Sequence, residues 1–589
     1  MKKKLRKLRL SESKGKLVWA LPNVSILPAL AGKLRLSESK GKLVWDCRAR
    51  VICAQQKYRI GIIVVFLALF TSCNDLDLAP TNKFTDLNYW TSEEKASAVL
   101  SMAYSQMFDA NYFFANERLS DNLYEGRGNT DEKIITSGQA DAALGRFANE
   151  WKNCYEGIKT CHTFLENIDL VPAMDETLKT RMKAEARFIR AFLFFRLASQ
   201  YGDVPLFDYN LSLQEANSIA RSPKSEVIGF VRNELNEIVN ILPAKEEYDA
   251  SDNGRITSGA VMTLLARIYL YDNDWANVAS ICEEIMNGEY GHYELFPSYS
   301  GLFMPDNEYN DEVILDLGYA LIDRTWNQLY DAIPLSVGGR INAFAPTQEL
   351  VDDYIMKNGK GILDANSGYH EDNPYVNRDP RFEATIVYHG YQWTKGDGTT
   401  SAIYIKPGSS EAAGASNLDE YAGPGQNSTG TGYYLRKYFD PTAPSGIEAG
   451  LNLILMRYGD ILLMYAEAKN ELGQMDEDIW NQTIRALRVR AGFTDTSALN
   501  YPGSDLQQII RRERRCELAI EGLRLFDIRR WKTIESVMNG YPHGAKFAAG
   551  NTQYIQLDQR RFNKDRDYLF AIPQSQRDIN ENLAQNPGY

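Results

Sequence analysis

SDLQQIIRRERRCELAIEGLRLFDIRRW, residues 504–531, is the segment that decides how the rest of the chain is interpreted. Ser504 occupies an N-cap position, and apolar residues follow it at helical spacing, which predicts an amphipathic helix. Gly522 is expected to end that helix, because glycine readily adopts the left-handed backbone found at helix C-termini. A second short apolar run begins directly after Gly522.

Four charged residues of this segment indicate a buried ion network. In a continuous helix Arg514, Glu517 and Glu521 lie on one face, with Arg524 one turn further. Buried charges are costly unless each has a partner. Glu517 and Glu521 are therefore either a catalytic acid and base or residues that fix the helix to its neighbours. We favour the structural role, because a glycosidase needs two carboxylates facing each other across a scissile bond.

The same segment resembles the C-terminal signature of the SusD/RagB family, glycan-capture lipoproteins of Bacteroidetes-type outer membranes. The pattern ER-x-x-E-L-A-x-E-G-x-R-x-x-D-x-x-R-W runs from Glu513 to Trp531. Similar stretches lie at 377–382, 455–473 and 569–589. The resemblance implies a mainly α, SusD-like fold, in which tetratricopeptide-like helical hairpins carry a loop-rich insertion with a few short strands.

Charge argues against a nucleic-acid-binding protein. The whole chain has a formal net charge of −12, and residues 1–72 hold 16 Lys and Arg against 3 Asp and Glu, so the remainder is more acidic still. Binding to a phosphate backbone needs clustered basic residues. No zinc-type spacing occurs among the seven cysteines and five histidines, and we predict neither a metal nor another cofactor.

The N-terminal residues are expected to lie outside the folded domain. KLRLSESKGKLVW occurs identically at 7–19 and 33–45. Because folded repeats normally diverge and alternate with loops, we interpret residues 1–56 as a mis-assigned or non-structural leader. This leader precedes a stretch with the composition of an export signal.

Residues 57–72 have a basic start, eleven apolar residues at 60–70 and small residues before Cys73, which is typical of a secretory signal. Eleven residues are too few to span a bilayer. The cysteine at the cleavage point resembles a lipobox, which implies a diacylglycerol anchor on Cys73. Residues 73–90 would then form a lipid-anchored tether.

The resemblance implies that residues 91–589 form a single domain. Helical hairpins are expected at 91–290 and 455–531, separated by a loop-rich insertion at 290–450 and followed by a C-terminal tail at 532–589. Alternating apolar residues in the insertion predict short strands near 313–317 and 384–389. The helices are predicted at 91–108, 145–168, 178–200, 224–241, 256–272, 275–287, 458–472 and 477–491.

The resemblance implies a surface-exposed binding protein without catalytic activity. Such a protein would face the cell exterior, cover a SusC-like TonB-dependent barrel of the outer membrane and deliver oligosaccharide or polysaccharide to it. The alternatives are a glycoside hydrolase or other surface enzyme, since the many acidic residues could supply a carboxylate pair, and a binder of another nutrient such as peptide. No Ser-His-Asp set or phosphate-binding loop supports an enzyme.

Exposed aromatic rings beside polar side chains are the expected glycan-binding residues. A sugar ring stacks its apolar face on an aromatic ring, and its hydroxyls need fixed donors and acceptors. Trp393, which precedes a Gly-rich loop, is the first candidate for this platform. Each aromatic residue could instead be a loop anchor packed on the core. The full candidate set is Trp393, Trp326 and Tyr391 in the insertion, and Asp121, Asn122 and Arg127 after the first helix.

Overall fold

The computed structural model describes residues 89–423, 425–443, 448–547 and 553–589. The predictions for the leader, the signal sequence and Cys73 lie outside these residues. The helices are α1 Glu93–Met107, α2 Ala110–Arg118, α3 Asp131–Thr136, α4 Gly145–Asn167, α5 Glu176–Tyr201, α6 Leu213–Ala216, α7 Lys224–Ile238, α8 Ser258–Tyr271, α9 Trp275–Met286, α10 Gln348–Asp353, α11 Pro380–Thr385, α12 Ser409–Ala412, α13 Tyr458–Glu471, α14 Glu477–Gln482, α15 Ile484–Ala491, α16 Thr496–Leu499, α17 Leu506–Glu517, α18 Arg524–Arg530, α19 Ile534–Val537 and α20 Gln574–Arg577. The strands are β1 Leu123–Glu125, β2 Val313–Leu317, β3 Phe344–Pro346, β4 Ile386–Val387, β5 Gln392–Thr394, β6 Thr400–Ala402, β7 Tyr434–Leu435 and β8 Leu453–Arg457.

The long helices pack one on the next. α1 packs on α4, α4 on α5, α5 on α7, α7 on α8 and α8 on α9, and α9 then contacts α13, which packs on α17. Small residues such as Ala260 and Ala266 of α8 are completely buried and allow close helix contact. Most predicted helices agree with the structure to within a few residues at their ends, because each of these has a continuous apolar face.

Two predicted helices are shorter than expected. The first helix of the opening segment ends at Glu517, not at Gly522, and Ile520 already has a positive φ of 67°. Glu521 therefore lies in the turn before α18 and not on the same helical face as Arg514 and Glu517. The predicted helix at 477–491 is interrupted at Thr483, which separates α14 from α15.

Among the described residues there are four small antiparallel sheets of two strands each: β1–β3, β2–β8, β4–β7 and β5–β6. The sheets β4–β7 and β5–β6 lie wholly in the insertion, whereas β1 and β8 lie outside it in sequence. The strands predicted near 313–317 and 384–389 are present as β2 and β4. Every residue of β2 is buried, so its alternating sequence does not produce one exposed face. Long loops connect the sheets and lie against the helices.

The C-terminal tail packs on α4 and α5. Phe570 lies 4.8 Å from the ring of Phe147 and 5.7 Å from that of Tyr201, measured between ring centroids. Asn586 donates from Nδ2 to the carbonyl oxygens of Tyr201 and Phe570. These contacts hold the last residues against the helical array. Among the described residues, no helix combines the length and the apolar composition that crossing a bilayer requires.

Candidate functional site

A cleft of about 470 Å³ opens among loops and short elements of the insertion. Segment 298–304, Glu383 of α11, Tyr391 and segment 436–439 line it. We refer to it as the Tyr391 cleft. Its size falls in the range of pockets that hold small organic ligands, and its lining combines aromatic rings with hydroxyl, carboxylate and guanidinium groups.

A β-hairpin fixes one wall of the cleft. Gln392 and Thr394 of β5 are exposed, whereas Trp393 between them is buried, as strand alternation requires. Gly398, with a φ of +79°, makes the turn to β6 possible. Tyr391 directly precedes β5, and its hydroxyl donates to the carbonyl oxygen of Glu383 at 3.1 Å. The hairpin and α11 together hold the Tyr391 ring at the edge of the cleft.

The adjoining wall follows β7, which pairs with β4. The backbone N–H of Arg436 donates to the carbonyl oxygen of Thr385 at 2.9 Å, so Arg436 lies beside the end of α11. Tyr438 has a positive φ of 65° and turns the chain immediately afterwards. This turn places half-buried Phe439 beside Arg436 in the cleft lining.

Charge and burial give the cleft a distinct chemistry. Burial raises the pKa of Tyr391, so its hydroxyl keeps the proton that it donates to the carbonyl oxygen of Glu383. Burial also lowers the pKa of Arg436. Exposed Glu383 accepts a hydrogen bond from the hydroxyl of Tyr388 at 2.9 Å. The cleft can therefore offer aromatic surface, a donor and an acceptor to a polar ligand with apolar faces.

Trp393 does not form the exposed platform that we predicted. Its side chain is completely buried. Its ring lies 4.8 Å from that of Phe439, and the Arg436 guanidinium covers it at 4.5 Å. Stacking on a sugar needs an open ring face, which Trp393 lacks. The residue instead supports Arg436 and Tyr391 from behind.

Trp326 is also a core residue, contrary to the prediction. Its side chain is 4% exposed, and its Nε1 donates to the carbonyl oxygen of Leu451 at 2.7 Å. The ring packs at 5.3 Å from Phe114 of α2 and at 6.5 Å from Tyr319. The alternative of a loop anchor describes Trp326 correctly, because its ring is packed in the core and its Nε1 is hydrogen-bonded within the protein.

Asp121 and Asn122 are committed to other protein groups and do not reach the Tyr391 cleft. Asp121 forms salt bridges with Arg515 and Arg524, at 3.0 Å and 2.8 Å. Asn122 is fully buried, accepts from Nε of Arg515 and donates to Glu117. The prediction that these side chains bind sugar hydroxyls does not fit the structure, because their hydrogen-bonding groups are already used.

Arg127 is half-buried and donates to the side chain of Asn427. It belongs to the loop after β1, whose Gly126 also bonds through its backbone to Ala343 and Gly425. Arg127 is absent from the lining of the Tyr391 cleft. Of the six predicted binding residues, the structure thus brings one, Tyr391, to the cleft surface.

The predicted ion network exists, although its four residues belong to three separate groups. Glu517 bonds to Arg381 and Arg457, each at 2.8 Å, and to Arg490. Arg514 instead pairs with Asp460 and Asp527. Arg524 pairs with Asp121. The Glu517 group among the described residues consists of Arg381, Lys437, Arg457, Arg488 and Arg490 with Glu312, Asp379, Glu513, Glu517 and Glu521.

The Glu517 group has five cations and five carboxylates, so its charge is balanced. Burial alone would raise the pKa of Glu517, but its three arginine partners hold it well below its usual range. Arg457 and Lys437 likewise lower the pKa of Glu521 against the effect of burial. Both carboxylates are therefore ionised and fully paired at neutral pH. Neither is free to transfer a proton, which supports their structural role.

Other chemistry receives no support from the described part of the chain. No group of three or more His, Cys, Asp and Glu side chains there is arranged to hold a metal ion. Cys154, Cys161, Cys282 and Cys516 are buried free thiols. Burial raises the pKa of Cys154 to about 12, so it remains a protonated thiol.

Sequence reasoning missed Arg436, Phe439 and Glu383. Arg436 and Phe439 lie in the run YYLRKYF at 433–439, and all three of its tyrosines are buried. A basic residue inside an aromatic run after a Gly-rich loop was the available signal. Glu383 had no such signal in the sequence, because its neighbours on α11 resemble an ordinary helical turn.

Comparison with protein families gives two matches that leave only residues 1–75 and 271–317 uncovered. The SusD family model matches residues 318–589. A second model, described as starch-binding associating with outer membrane, matches residues 76–270. Together the two matches span both the helical array and the insertion.

Similar proteins agree with these matches. SusD-like protein P2 of Formosa agariphila is 25% identical over 91% of this chain and 100% of its own length. Starch-binding protein SusD of Bacteroides thetaiotaomicron is 25% identical over 45% of this chain and 50% of its own. The crystal structure of a SusD-like carbohydrate binding protein from Bacteroides fragilis superposes with a TM-score of 0.75 and 29% identity, over 84% of this chain and all of that one. The predicted fold class is confirmed, and the chain belongs to the SusD/RagB family.

Proposed function

We propose that this protein captures oligosaccharide or polysaccharide in the Tyr391 cleft. The observation that carries the proposal is the lining of the cleft, where Tyr391 and Phe439 offer half-buried rings beside Glu383 and Arg436. Sugar rings combine apolar faces with hydroxyls that need donors and acceptors, and this lining supplies both. The similar protein from Bacteroides fragilis is described as carbohydrate binding, which agrees with this use.

A second groove, of about 340 Å³, is a weaker candidate. It lies against α4 and is bordered by Tyr155 and Phe207. These two rings stack on each other at 5.9 Å with an interplanar angle of 13°, so each covers one face of the other. The Tyr391 cleft is larger and holds a guanidinium available to a ligand.

We further propose that the protein binds glycan without cleaving it. A glycosidase normally uses two carboxyl groups on either side of the scissile bond. Among the described residues that line the Tyr391 cleft, Glu383 is the single carboxylate. Glu517 and Glu521, the alternative pair, are fully committed to the buried ion group. These arrangements favour capture over hydrolysis.

The proposed location is the outer membrane, with the protein facing the cell exterior through a lipid anchor on Cys73. The support is the lipobox-like sequence and the family model described as associating with the outer membrane. We propose that a SusC-like TonB-dependent transporter is the partner that receives the glycan. This assignment extends the family resemblance to the present chain.

Affinity electrophoresis of the mature protein through gels containing single polysaccharides tests the proposed function. We expect retardation by at least one neutral or acidic polysaccharide and no release of reducing ends from it by pure protein. Release of reducing ends would contradict the non-catalytic assignment. Migration unaffected by every polysaccharide of a broad panel would contradict glycan capture itself.

A further inference from the structure

Arg436 is a cation without a carboxylate partner. Within the described residues, no Asp or Glu oxygen lies close enough to its guanidinium to form a salt bridge, and the hydroxyl of Tyr391 is its side-chain hydrogen-bond partner. A guanidinium remains protonated at neutral pH and has five N–H donors in a planar fork. Most of these donors are therefore left without a protein acceptor.

Other guanidiniums near the cleft are fully used. Arg381 of α11 forms salt bridges with Asp379, Glu513 and Glu517. Arg378 donates to the carbonyl oxygens of Val351, Tyr354 and Pro374. An unpaired, partly desolvated cation is costly, so its presence at Arg436 calls for a partner that the chain does not provide.

Aromatic rings fix the direction of this guanidinium. It lies 4.5 Å from the ring centroid of Trp393 and 4.9 Å from that of Phe439. Stacking on aromatic faces leaves the edge of the guanidinium plane, where its N–H groups point, free for other contacts. Because Arg436 also lines the Tyr391 cleft, a ligand in the cleft can reach that edge.

The cleft has an electrostatic polarity. Glu383 and Arg436 both line it but are not within salt-bridge distance of each other. Glu383 is exposed and acidic, so it favours sugar hydroxyls and repels anions. Arg436 attracts anions and can bind a carboxylate or a sulfate with two parallel hydrogen bonds. A ligand with an anionic group at one end and hydroxyls at the other matches both.

We propose that the Tyr391 cleft selects an acidic saccharide, and that Arg436 binds its anionic group, the carboxylate of a uronic acid residue or a sulfate ester. The inference rests on the proposed glycan-binding function and narrows it to a substrate class. Tyr391 and Phe439 contact the sugar ring, and Glu383 accepts from its hydroxyls. Trp393 acts as a positioning residue, because it touches Arg436 and not the ligand.

Calorimetric titration with paired oligosaccharides tests this inference on the mature protein. One pair is an oligogalacturonate and its carboxyl-reduced counterpart, and the other is a sulfated galactan oligosaccharide and its desulfated counterpart. We expect one acidic member to bind roughly tenfold or more tightly than its neutral counterpart, the scale of hydrogen bonds to a charged group. The pair that shows the difference identifies the carboxylate or the sulfate as the anion.

Variants separate the role of Arg436 from general effects of charge. Arg436→Gln should abolish the preference for the acidic member, and Arg436→Lys, which keeps the charge but loses the fork, should restore only part of it. Arg511→Gln is the matched control, because Arg511 also stacks on an aromatic ring, Trp531, at 4.8 Å, and lies outside the cleft lining. It should leave both affinities unchanged.

The outcomes distinguish this inference from the function on which it rests. Equal binding of both members of each pair, or an acidic preference that Arg436→Gln leaves intact, would overturn the inference while glycan capture stands. If neither these oligosaccharides nor any neutral polysaccharide binds, the proposed function fails and the inference fails with it. Melting temperatures recorded for each variant show that a loss of affinity does not reflect a loss of fold.

Discussion

The guanidinium of Arg436 lies 4.5 Å from the ring centroid of Trp393. This contact joins a completely buried residue to the surface of the Tyr391 cleft. The buried ring supports the guanidinium that we propose binds the ligand. Core packing and the proposed ligand binding are therefore coupled at this position.

Replacement of Trp393 by alanine should affect both stability and binding. Removal of a buried tryptophan leaves a cavity and costs about 3–5 kcal/mol. It also removes the surface on which Arg436 rests, so glycan affinity should fall in the protein that remains folded. Thermal melting followed by titration with the captured glycan measures both effects.

Trp326→Ala is the matched comparison, because Trp326 is similarly buried but packs on Phe114 and Tyr319. It should lower the melting temperature to a similar extent and leave the affinity unchanged. If Trp393→Ala instead binds normally and melts like the wild type, the burial of Trp393 and its support of Arg436 are both wrong.

Glu517→Gln should destabilise the protein strongly without creating or removing an activity. Three arginines surround this carboxylate, and loss of one partner from a buried ion group costs about 3–5 kcal/mol. Glu477→Gln, an exposed change on α14, should alter stability by about 0.5 kcal/mol or less. If Glu517→Gln has the same melting temperature as the Glu477→Gln control, the structural role of this group is refuted.

Asp316 should make stability depend on pH. Its Oδ2 accepts from Asn452 at 2.9 Å, its Oδ1 has no partner among the described residues, and burial raises its pKa to about 7. Between the ordinary pKa of about 4 and pH 7 the folded state holds a proton that the unfolded state has released. Stability from this group therefore falls as pH rises through that window and is level above it.

Asp316→Asn removes this titration and keeps the bond to Asn452. The melting temperature of the variant relative to that of the wild type should therefore increase from pH 5 to pH 8. The corresponding change in the free energy of unfolding is up to about 1.4 kcal/mol per unit of pKa shift. Asp311→Asn, an exposed change in the preceding turn, provides the control and should show no such trend. An equal loss of stability at both pH values in Asp316→Asn would show that Asp316 is ionised throughout.

Cys73→Ala tests the proposed lipid anchor. The change removes the acylation site. The variant then has no lipid chains to hold it in the membrane and should appear in the soluble fraction. The fractionation is done at high salt in cells without the transporter, so that protein partners do not retain the variant. Retention equal to that of the wild type would contradict acylation at Cys73.

Local patterns of apolar residues were sufficient to predict the helices of the helical array. The predicted helices at 275–287 and 458–472 correspond to Trp275–Met286 and Tyr458–Glu471, because their apolar period is set by residues next to one another in sequence. The strand at 313–317 was predictable for the same reason. The sequence motif around Glu513 also identified the family, which in turn implied the arrangement of the hairpins.

The exposure of the candidate binding residues was not predictable in this way, because the groups that surround them come from distant parts of the chain. Trp393 has polar neighbours in sequence, but Arg436 and Phe439 cover it from more than forty positions away. Asp121 has the sequence context of an exposed loop residue, but Arg515 and Arg524, about four hundred residues further along the chain, form salt bridges with it. Burial in an insertion of long loops depends on such contacts, which no local period encodes.

The affinity of Tyr391→Ala for the glycan that the wild type captures tests the central claim most directly. Tyr391 lines the cleft and is half-buried, so its removal should weaken binding by about 1–3 kcal/mol, on the order of 5- to 150-fold, with little change in melting temperature. Tyr209→Ala, an exposed tyrosine outside the cleft, is the control and should bind as the wild type does. An unchanged dissociation constant for folded Tyr391→Ala would contradict the assignment of the Tyr391 cleft as the glycan-binding site.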